Sequence, residues 1–330
     1  MSNNNRIDPD EVRVFSGRSN PKLAQQIAGH MGVPLDETHF SRFSNDNLFV
    51  QLGASVRGRK VFIVQSLTPP VSDHLLEMLM MVDIAQSAAA SEIHAIIPYF
   101  SYARSDKKDA PRISITARLI ADLLSTAGAT HIMTMTLHSP QVHGFFSIPA
   151  DPLTARMLFG EYLRQKELAP NNCVVVSPDM GRATSAARFA AQLGLPVAAA
   201  AKTRLSDQEV KIGGLIKRQV KGFSHALVFD DEIATGGTIM EISRALVKAG
   251  IQKITVVCTH GLFLGNAIER IEAMPEIVEV IATDTVPLPP DKCFPKLTTL
   301  SVGPVFGGAI AHNYHRRSIG KLFEHGDKEE

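Results

Sequence analysis

The sequence predicts an α/β protein made of two similar doubly wound parallel-sheet domains. Two observations carry this reading. Short, nearly all-apolar strands alternate with amphipathic helices, and the alternation recurs in the second half at an almost constant offset. Strands that are apolar on both faces belong to parallel sheets covered by helices on both sides. The 330 residues suit two domains of ordinary size, and 45% apolar with 20% charged residues is a globular balance.

The elements follow in order. Val12-Arg13-Val14-Phe15 is a short strand, and Pro21 to Met31 is a helix stopped by Gly32-Val33-Pro34. Val61 to Val64 is a strand, His74 to Ala89 a helix, Ile93 to Ile97 a strand, and His131 to Met135 another. In the second half, Cys173 to Val176 is a strand and Ala183 to Leu193 a helix stopped by Gly194-Leu195-Pro196. Glycine just past the last turn, with proline soon after, is a physical helix stop. Val197 to Ala201 and Ala226 to Phe229 are strands, Thr238 to Ala249 a helix, and Ile254 to Cys258 a strand. Three landmarks of the first half return about 160 residues later, which reads as an internal duplication. His312 to Phe323 is basic and reads as helical, and His325 to Glu330 as a frayed tail.

Several function classes are excluded early. With 34 basic against 33 acidic residues there is no overall positive field to hold a polyanion, and four tyrosines with no tryptophan offer little for base stacking. A nucleic-acid module is therefore not expected. Cys173, Cys258 and Cys293 form neither a CxxC pair nor a disulfide framework. Met1 to Asp10 lacks the apolar core of a signal peptide, and no run approaches the ~20 apolar residues of a membrane span. The expectation is a cytoplasmic protein with no membrane partner.

Ligands of doubly wound sheets gather at the carboxyl ends of the strands. There, Val228-Phe229-Asp230-Asp231-Glu232-Ile233-Ala234-Thr235-Gly236-Gly237-Thr238 is the most informative segment. An apolar strand runs into an acidic pair, then a glycine-threonine turn, then a helix. Glycines let backbone N–H groups close on an anion, and the new helix turns its positive end toward it. Carboxylates repel phosphate but accept hydrogen bonds from hydroxyls. Together they describe a sugar phosphate, with hydroxyls on Asp230 and Asp231 and the phosphate on Ala234, Thr235, Gly236, Gly237 and Thr238. The duplicated place in the first half reads Gln65-Ser66-Leu67-Thr68-Pro69-Pro70, which has no acidic pair and two prolines without N–H donors.

This loop resembles the phosphoribosyl-diphosphate loop of type I phosphoribosyltransferase folds. The chain from about Val12 to Phe323 resembles the ribose-phosphate diphosphokinase, or phosphoribosyl pyrophosphate synthetase, family. The resemblance rests on Asp73-His74-Leu75-Leu76-Glu77-Met78-Leu79, Ile97-Pro98-Tyr99-Phe100-Ser101-Tyr102-Ala103-Arg104, Leu137-His138-Ser139-Pro140-Gln141, Gly144-Phe145-Phe146, Val176-Ser177-Pro178-Asp179 and Ser301-Val302-Gly303-Pro304, in this order and spacing. It implies domains of phosphoribosyltransferase type: 1–152 on the ATP side, 153–311 with the ribose 5-phosphate loop, and 312–330 packing back on the first. It implies transfer of the diphosphate of ATP to the C1 hydroxyl of ribose 5-phosphate, giving 5-phosphoribosyl 1-diphosphate and AMP. By the same resemblance, Lys202 and Arg204 are catalytic cations on a flap. Phe43, Asn45, Asp46, Asn47, Arg104 and Ser105 bind ATP, and His138 and Asp179 hold Mg²⁺. A homo-oligomer of dimers building a hexamer is expected, with Phe43 to Asn47 donated across a dimer interface.

The chain departs from the family pattern at four places. Asn45 and Asn47 replace acidic residues, Thr136 stands where aspartate is common two residues before His138, and Ala234 stands where many members have aspartate. Two other readings follow from the same residues. A phosphoribosyltransferase shares the Asp230 to Thr238 loop, and a non-catalytic regulatory homologue would tolerate the four departures.

Overall fold

The computed structural model describes residues 7–167, 171–200, 202–204, 210–212 and 214–320. They divide into two units. The first takes the described residues of 1–154, 285–287 and 301–330, and the second those of 155–284 and 288–300.

The first unit contains β1 (Val12–Ser16), α1 (Pro21–Met31), β2 (Thr38–Arg42), β3 (Leu48–Leu52), β4 (Lys60–Val64), α2 (Val71–Ser87), β5 (Glu92–Ile97), α3 (Thr116–Ala127), β6 (His131–Met135) and β7 (Ala150–Leu153). Its sheet runs β1-β4-β5-β6-β7 with every pairing parallel. Val61 and Ile63 pack with Met78 and Met81 of α2 and Ile120 of α3, while Phe62 and Val64 between them are equally buried. Both faces of the strand are therefore covered, as a parallel sheet requires. α1 has the bounds read from the sequence. Pro21 sits in its first turn, the Asn20 side chain accepts from the Leu23 N–H at 3.3 Å, and Gly32 closes it at a φ of 73°. β2 and β3 form a separate antiparallel hairpin that the strand pattern did not announce.

The second unit contains α4 (Arg156–Arg164), β8 (Cys173–Ser177), α5 (Ala183–Leu193), β9 (Val197–Ala199), β10 (Lys202–Arg204), β11 (Val210–Ile212), α6 (Gly214–Gln219), β12 (His225–Ile233), α7 (Gly237–Lys248), β13 (Lys253–Gly261), α8 (Ala267–Glu272), β14 (Ile277–Thr283) and β15 (Leu297–Leu300). Its sheet runs β15-β14-β13-β12-β8-β9, again parallel, and β10 pairs antiparallel with β11. On one face Val228 and Val256 meet Ile239, Ile242 and Leu246 of α7. On the other, Phe229 stacks on Phe189 of α5 at 4.4 Å and meets Phe159 of α4 edge-on at 6.5 Å. These rings bury the largest apolar areas available to a side chain and anchor α4 and α5 to β12.

Several elements differ from the sequence reading, among them α2, which runs Val71–Ser87 where the sequence reading has His74 to Ala89, and β13, which runs on to Gly261 past Cys258. β12 does not stop at Phe229. It continues through Asp230, Asp231 and Glu232 because β13 runs beside it to Gly261, with Asp230 opposite Cys258 and Glu232 opposite His260. β9 ends at Ala199, short of Ala201, which lies outside the described residues. The terminal helix, α9 (Gly303–Tyr314), packs on α1 in the first unit and starts well before His312. It ends at Tyr314, where Arg316 takes a φ of 57° and the Arg317 N–H closes on the His312 carbonyl at 2.8 Å. Residues 315–319 are therefore not helical, and Phe323 and the tail lie outside the described residues. The stretch that groups with the first unit begins at 301, earlier than the 312 read from the sequence.

One buried polar cluster in the first sheet has a consequence for acid stability. The His94 Nδ1 lies 3.0 Å from the His131 Nδ1, His94 Nε2 lies 3.0 Å from Glu92 Oε2, and His131 Nε2 lies 2.9 Å from Asp151 Oδ2. Burial, with His131 beside it, pushes His94 down from 6.5 to about 4. Above the unfolded value the ring is neutral in both states and contributes nothing. Below it only the unfolded chain takes the proton, so stability falls as pH drops from 6.5 toward 4, by about 3 kcal/mol for this one group. Urea titrations at pH 7.5 and 4.5 should show wild type losing about 2 to 3 kcal/mol more than His94→Gln over that interval. Equal losses would mean that His94 does not titrate there.

Candidate active site

The carboxyl end of β12 carries the acidic segment, and all three of its side chains are buried. Asp230 is 8% exposed, Asp231 6% and Glu232 9%. Carboxylates are almost never found this deep without a partner. The Asp231 N–H donates to Asp230 Oδ1 at 2.9 Å. The Arg182 guanidinium forms an ion pair with Asp231 Oδ2. Burial and the neighbouring Asp231 charge hold the Asp230 carboxyl well above the usual carboxylate range, while Arg182 pulls it the other way. The same field reaches the next strand, where burial and then Asp230, Asp231 and Glu232 push the Cys258 thiol up.

After Ile233 the chain leaves the sheet and turns at Gly236, whose φ of 73° lies in the left-handed region. Glycine adopts that backbone without the cost that a Cβ brings. α7 starts at once, and its N-cap residue, Gly236, has no side chain to cap the first N–H groups. Thr235 and Gly237 are exposed, Gly236 is buried, and Ala234 and Thr238 are half-buried. The segment 234–238 thus presents a glycine-capped helix start above a buried carboxylate pair, an arrangement that accepts an anion at one end and hydroxyl groups at the other.

Asp179 and Arg182 lie just past β8, the strand next to β12. Asp179 is half-exposed, and its Oδ1 accepts the Arg182 N–H at 3.0 Å. The structure therefore brings Asp179 and Asp231 onto one residue, Arg182, which the sequence reading missed. A single arginine has no motif, and the pairing joins positions 49 apart. Lys202 and Arg204 lie on β10 of the small antiparallel pair.

In the first unit the corresponding strand ends are filled by the chain itself. The fully buried Gln65, just past β4, donates to Glu77 Oε2 at 2.7 Å and accepts the Ser19 N–H at 3.0 Å. Glu77, also fully buried, holds the Arg18 Nε at 2.6 Å and its Nη2 at 2.5 Å. A Cβ added to Gly17 would fall 2.3 Å from the Gln65 amide, so no space is left. Arg104 and Ser105 stand past the end of β5. Ser101–Arg104 form a short 3₁₀ helix anchored by buried Ala103. His138 is half-buried past the end of β6, where Thr136 turns the chain at a φ of 42°. A β-branched residue is strained in that region, which aspartate tolerates better.

Phe43, Asn45, Asp46 and Asn47 form the tip of the β2–β3 hairpin and are exposed, Phe43 to 57%. The Phe43 N–H donates to the Asn47 carbonyl at 2.9 Å, and Phe43 meets Phe49 edge-on at 5.8 Å. Arg42 holds the tip by donating to both Asp46 oxygens, backbone and side chain, at 2.9 Å, and by pairing with Asp73 of α2.

Residues 12–128 match the family described as the N-terminal domain of ribose phosphate pyrophosphokinase, and residues 216–324 match the phosphoribosyl synthetase-associated domain. The chain is 44% identical over 323 residues to a ribose-phosphate pyrophosphokinase of Deinococcus radiodurans, covering 97% of this chain and 99% of the relative. The chain belongs to the ribose-phosphate pyrophosphokinase family. A second family member, from Caldanaerobacter subterraneus, is 42% identical over 314 residues, covering 95% and 98% of the two chains. The crystal structure of phosphoribosylpyrophosphate synthetase from Mycobacterium smegmatis superposes with a TM-score of 0.85 at 38% identity, over 93% of this chain and 99% of that one. The α/β fold with parallel sheets is that of this family. No described helix is long and apolar enough to cross a membrane.

The buried acid pair has a measurable cost. A carboxyl whose folded pKa is raised loses stability as pH rises past its ordinary value. Asp230→Asn keeps an acceptor for the Asp231 N–H and removes the charge. At pH 7.5 it should raise stability by roughly 1 kcal/mol, the pattern of a functional site that strains its fold. A fall in the urea midpoint would contradict this electrostatic account.

Proposed function

We propose that this chain transfers the diphosphate of ATP to the C1 hydroxyl of ribose 5-phosphate and releases AMP with 5-phosphoribosyl 1-diphosphate, a step of nucleotide biosynthesis. The observation that carries the reading is the buried Asp230–Asp231 pair leading directly into the glycine-capped start of α7. Family membership along nearly the whole chain supports it. In this reading the second unit holds ribose 5-phosphate. Asp230 and Asp231 accept from the sugar hydroxyls, and Ala234, Thr235, Gly236, Gly237 and Thr238 receive the 5-phosphate. The filled exits of β1 and β4 support a first unit that has lost such a loop and serves ATP, through Arg104 and Ser105 and through Phe43, Asn45, Asp46 and Asn47. The exposed ring of Phe43 suits stacking on a purine, and the amides of Asn45 and Asn47 suit hydrogen bonding at its edge.

Attack at the β-phosphorus builds negative charge on the phosphoryl oxygens and on the departing AMP. Charge stabilisation and in-line positioning supply most of such a rate. Lys202 and Arg204 are the cations assigned to this work. The C1 hydroxyl loses its proton without a carboxylate at Ala234. Asp231 is engaged by Arg182, and Asp230, Asp231 or a water molecule takes that proton.

Magnesium fits the donors present. Among the described residues no group of three or more His, Cys, Asp or Glu side chains could hold a metal ion by itself. Mg²⁺ commonly arrives on phosphate oxygens, keeps several waters and takes only one or two protein ligands. Asp179, oriented by the Arg182 N–H, and His138 are the ligands assigned to it. When bound, the ion supplies neutralisation of the triphosphate charge. The reading extends to a cytoplasmic homo-oligomer in which dimers build a hexamer.

Purified chain given ATP, ribose 5-phosphate and Mg²⁺ should release AMP in step with 5-phosphoribosyl 1-diphosphate. Lys202→Ala and Arg204→Ala should each lower kcat by about 100-fold or more while ribose 5-phosphate binding changes little. No AMP from the wild type would leave a non-catalytic homologue, and near-normal turnover in both variants would remove the assignment of the two cations.

A further inference from the structure

We infer that Arg182 is a positioning residue of the ribose 5-phosphate site, holding Asp231 in the geometry that receives the sugar and offsetting the local negative charge. The inference rests on the reading of the acidic segment as that site.

Arg182 is the residue before α5, on the strand-to-helix connection after β8. Its backbone N–H is fixed on Asp179 and its guanidinium on Asp231, so one residue spans the exits of the two neighbouring strands β8 and β12. Both charged side chains are buried, at 11% and 5% exposure. A buried pair is strongly oriented, because moving either partner leaves an uncompensated charge.

Asp230, Asp231 and Glu232 occupy three consecutive buried positions, with Asp179 just past the adjacent strand. The substrate that this corner receives is itself an anion. Carboxylates alone would repel its phosphate. The guanidinium of Arg182 offsets that repulsion while leaving carboxylate oxygens for hydroxyl groups. Its influence extends beyond its direct partner, since it also acts on Asp230.

Arginine is planar and presents its donors in a rigid fork, whereas lysine is a flexible point charge. Lysine at 182 would keep the charge and lose part of the orientation. Glutamine would keep some hydrogen bonding and lose the charge. A residue that only supports the fold would affect stability and the fraction of active protein. A positioning residue affects the affinity for one substrate.

The experiment compares wild type, Arg182→Gln and Arg182→Lys by steady-state kinetics, with thermal melting as a fold control. Arg182→Gln should raise KM for ribose 5-phosphate about tenfold or more and leave KM for ATP within about twofold, and Arg182→Lys should recover part of the loss. An unchanged KM for ribose 5-phosphate in Arg182→Gln, with kcat and the melting temperature falling together, overturns the inference and leaves a structural ion pair. If Arg182→Gln does not fold, Arg182→Lys decides: a raised KM for ribose 5-phosphate alone supports the inference, and wild-type values overturn it. A wild type that releases no AMP defeats the functional reading and this inference together. An active wild type with unaffected variants defeats the inference alone.

Discussion

The ion pair between Arg182 and Asp231 is the contact on which the acidic corner of the second unit depends. Proteins seldom bury three successive acids, because ionised groups in a poor dielectric are costly unless paired. Here the strand carries them inward because β13 keeps pairing with β12 through that stretch. Hydrogen bonding by the backbone fixes the carboxylates in place, and the Arg182 guanidinium offsets the charge of Asp231. The strained electrostatics follow directly: Asp230 resists ionisation and the nearby Cys258 thiol is held protonated. Immediately beyond, a left-handed glycine and the helix start that it caps supply the opposite polarity. Acceptors for hydroxyls and donors for an anion thus meet within one strand-turn-helix connection.

The two units use the same scaffold for different ends. Each has a parallel sheet covered on both faces, and each has a glycine-stopped helix soon after an early strand. The difference lies in what stands at the strand exits. In the second unit the exit holds buried charged groups followed by a partly exposed turn. In the first, Glu77 holds both Gln65 and Arg18 across the corresponding space, and a Cβ at Gly17 would meet the Gln65 amide. A satisfied internal network of this kind holds the strand exits of the first unit without a ligand.

Much of the fold was legible in the sequence. Apolar runs such as Cys173 to Val176 gave the central strands, and proline and glycine punctuation gave the bounds of α1 and α5. What escaped has physical reasons. Asp230 and Asp231 do not look like strand residues, so the continuation of β12 depends on a partner strand far along the chain. The β2–β3 hairpin pairs Thr38-His39-Phe40-Ser41-Arg42 with Leu48-Phe49-Val50-Gln51-Leu52, and neither five-residue strand alternates polar and apolar residues, so the strand signal is weak. The end of α9 is set by the backbone of Arg316 and by a carbonyl closure, neither of which has a strong residue signature. For the site, the acidic pair and glycine turn were readable because their chemistry is local. Arg182 was not, because its role exists only once two strands have been brought side by side. The cations at 202 and 204 rest on resemblance, with β10 giving their place in the chain.

The account's central claim is that a phosphorylated pentose is held at the end of β12. Isothermal titration of ribose 5-phosphate into the intact protein, beside Asp231→Asn and Gly237→Pro, tests it most directly. The account predicts about one site per chain in the wild type and at least about tenfold weaker binding in each variant, one losing a hydroxyl acceptor and the other a phosphate donor. Undiminished affinity in both variants would place the pentose elsewhere and contradict the account.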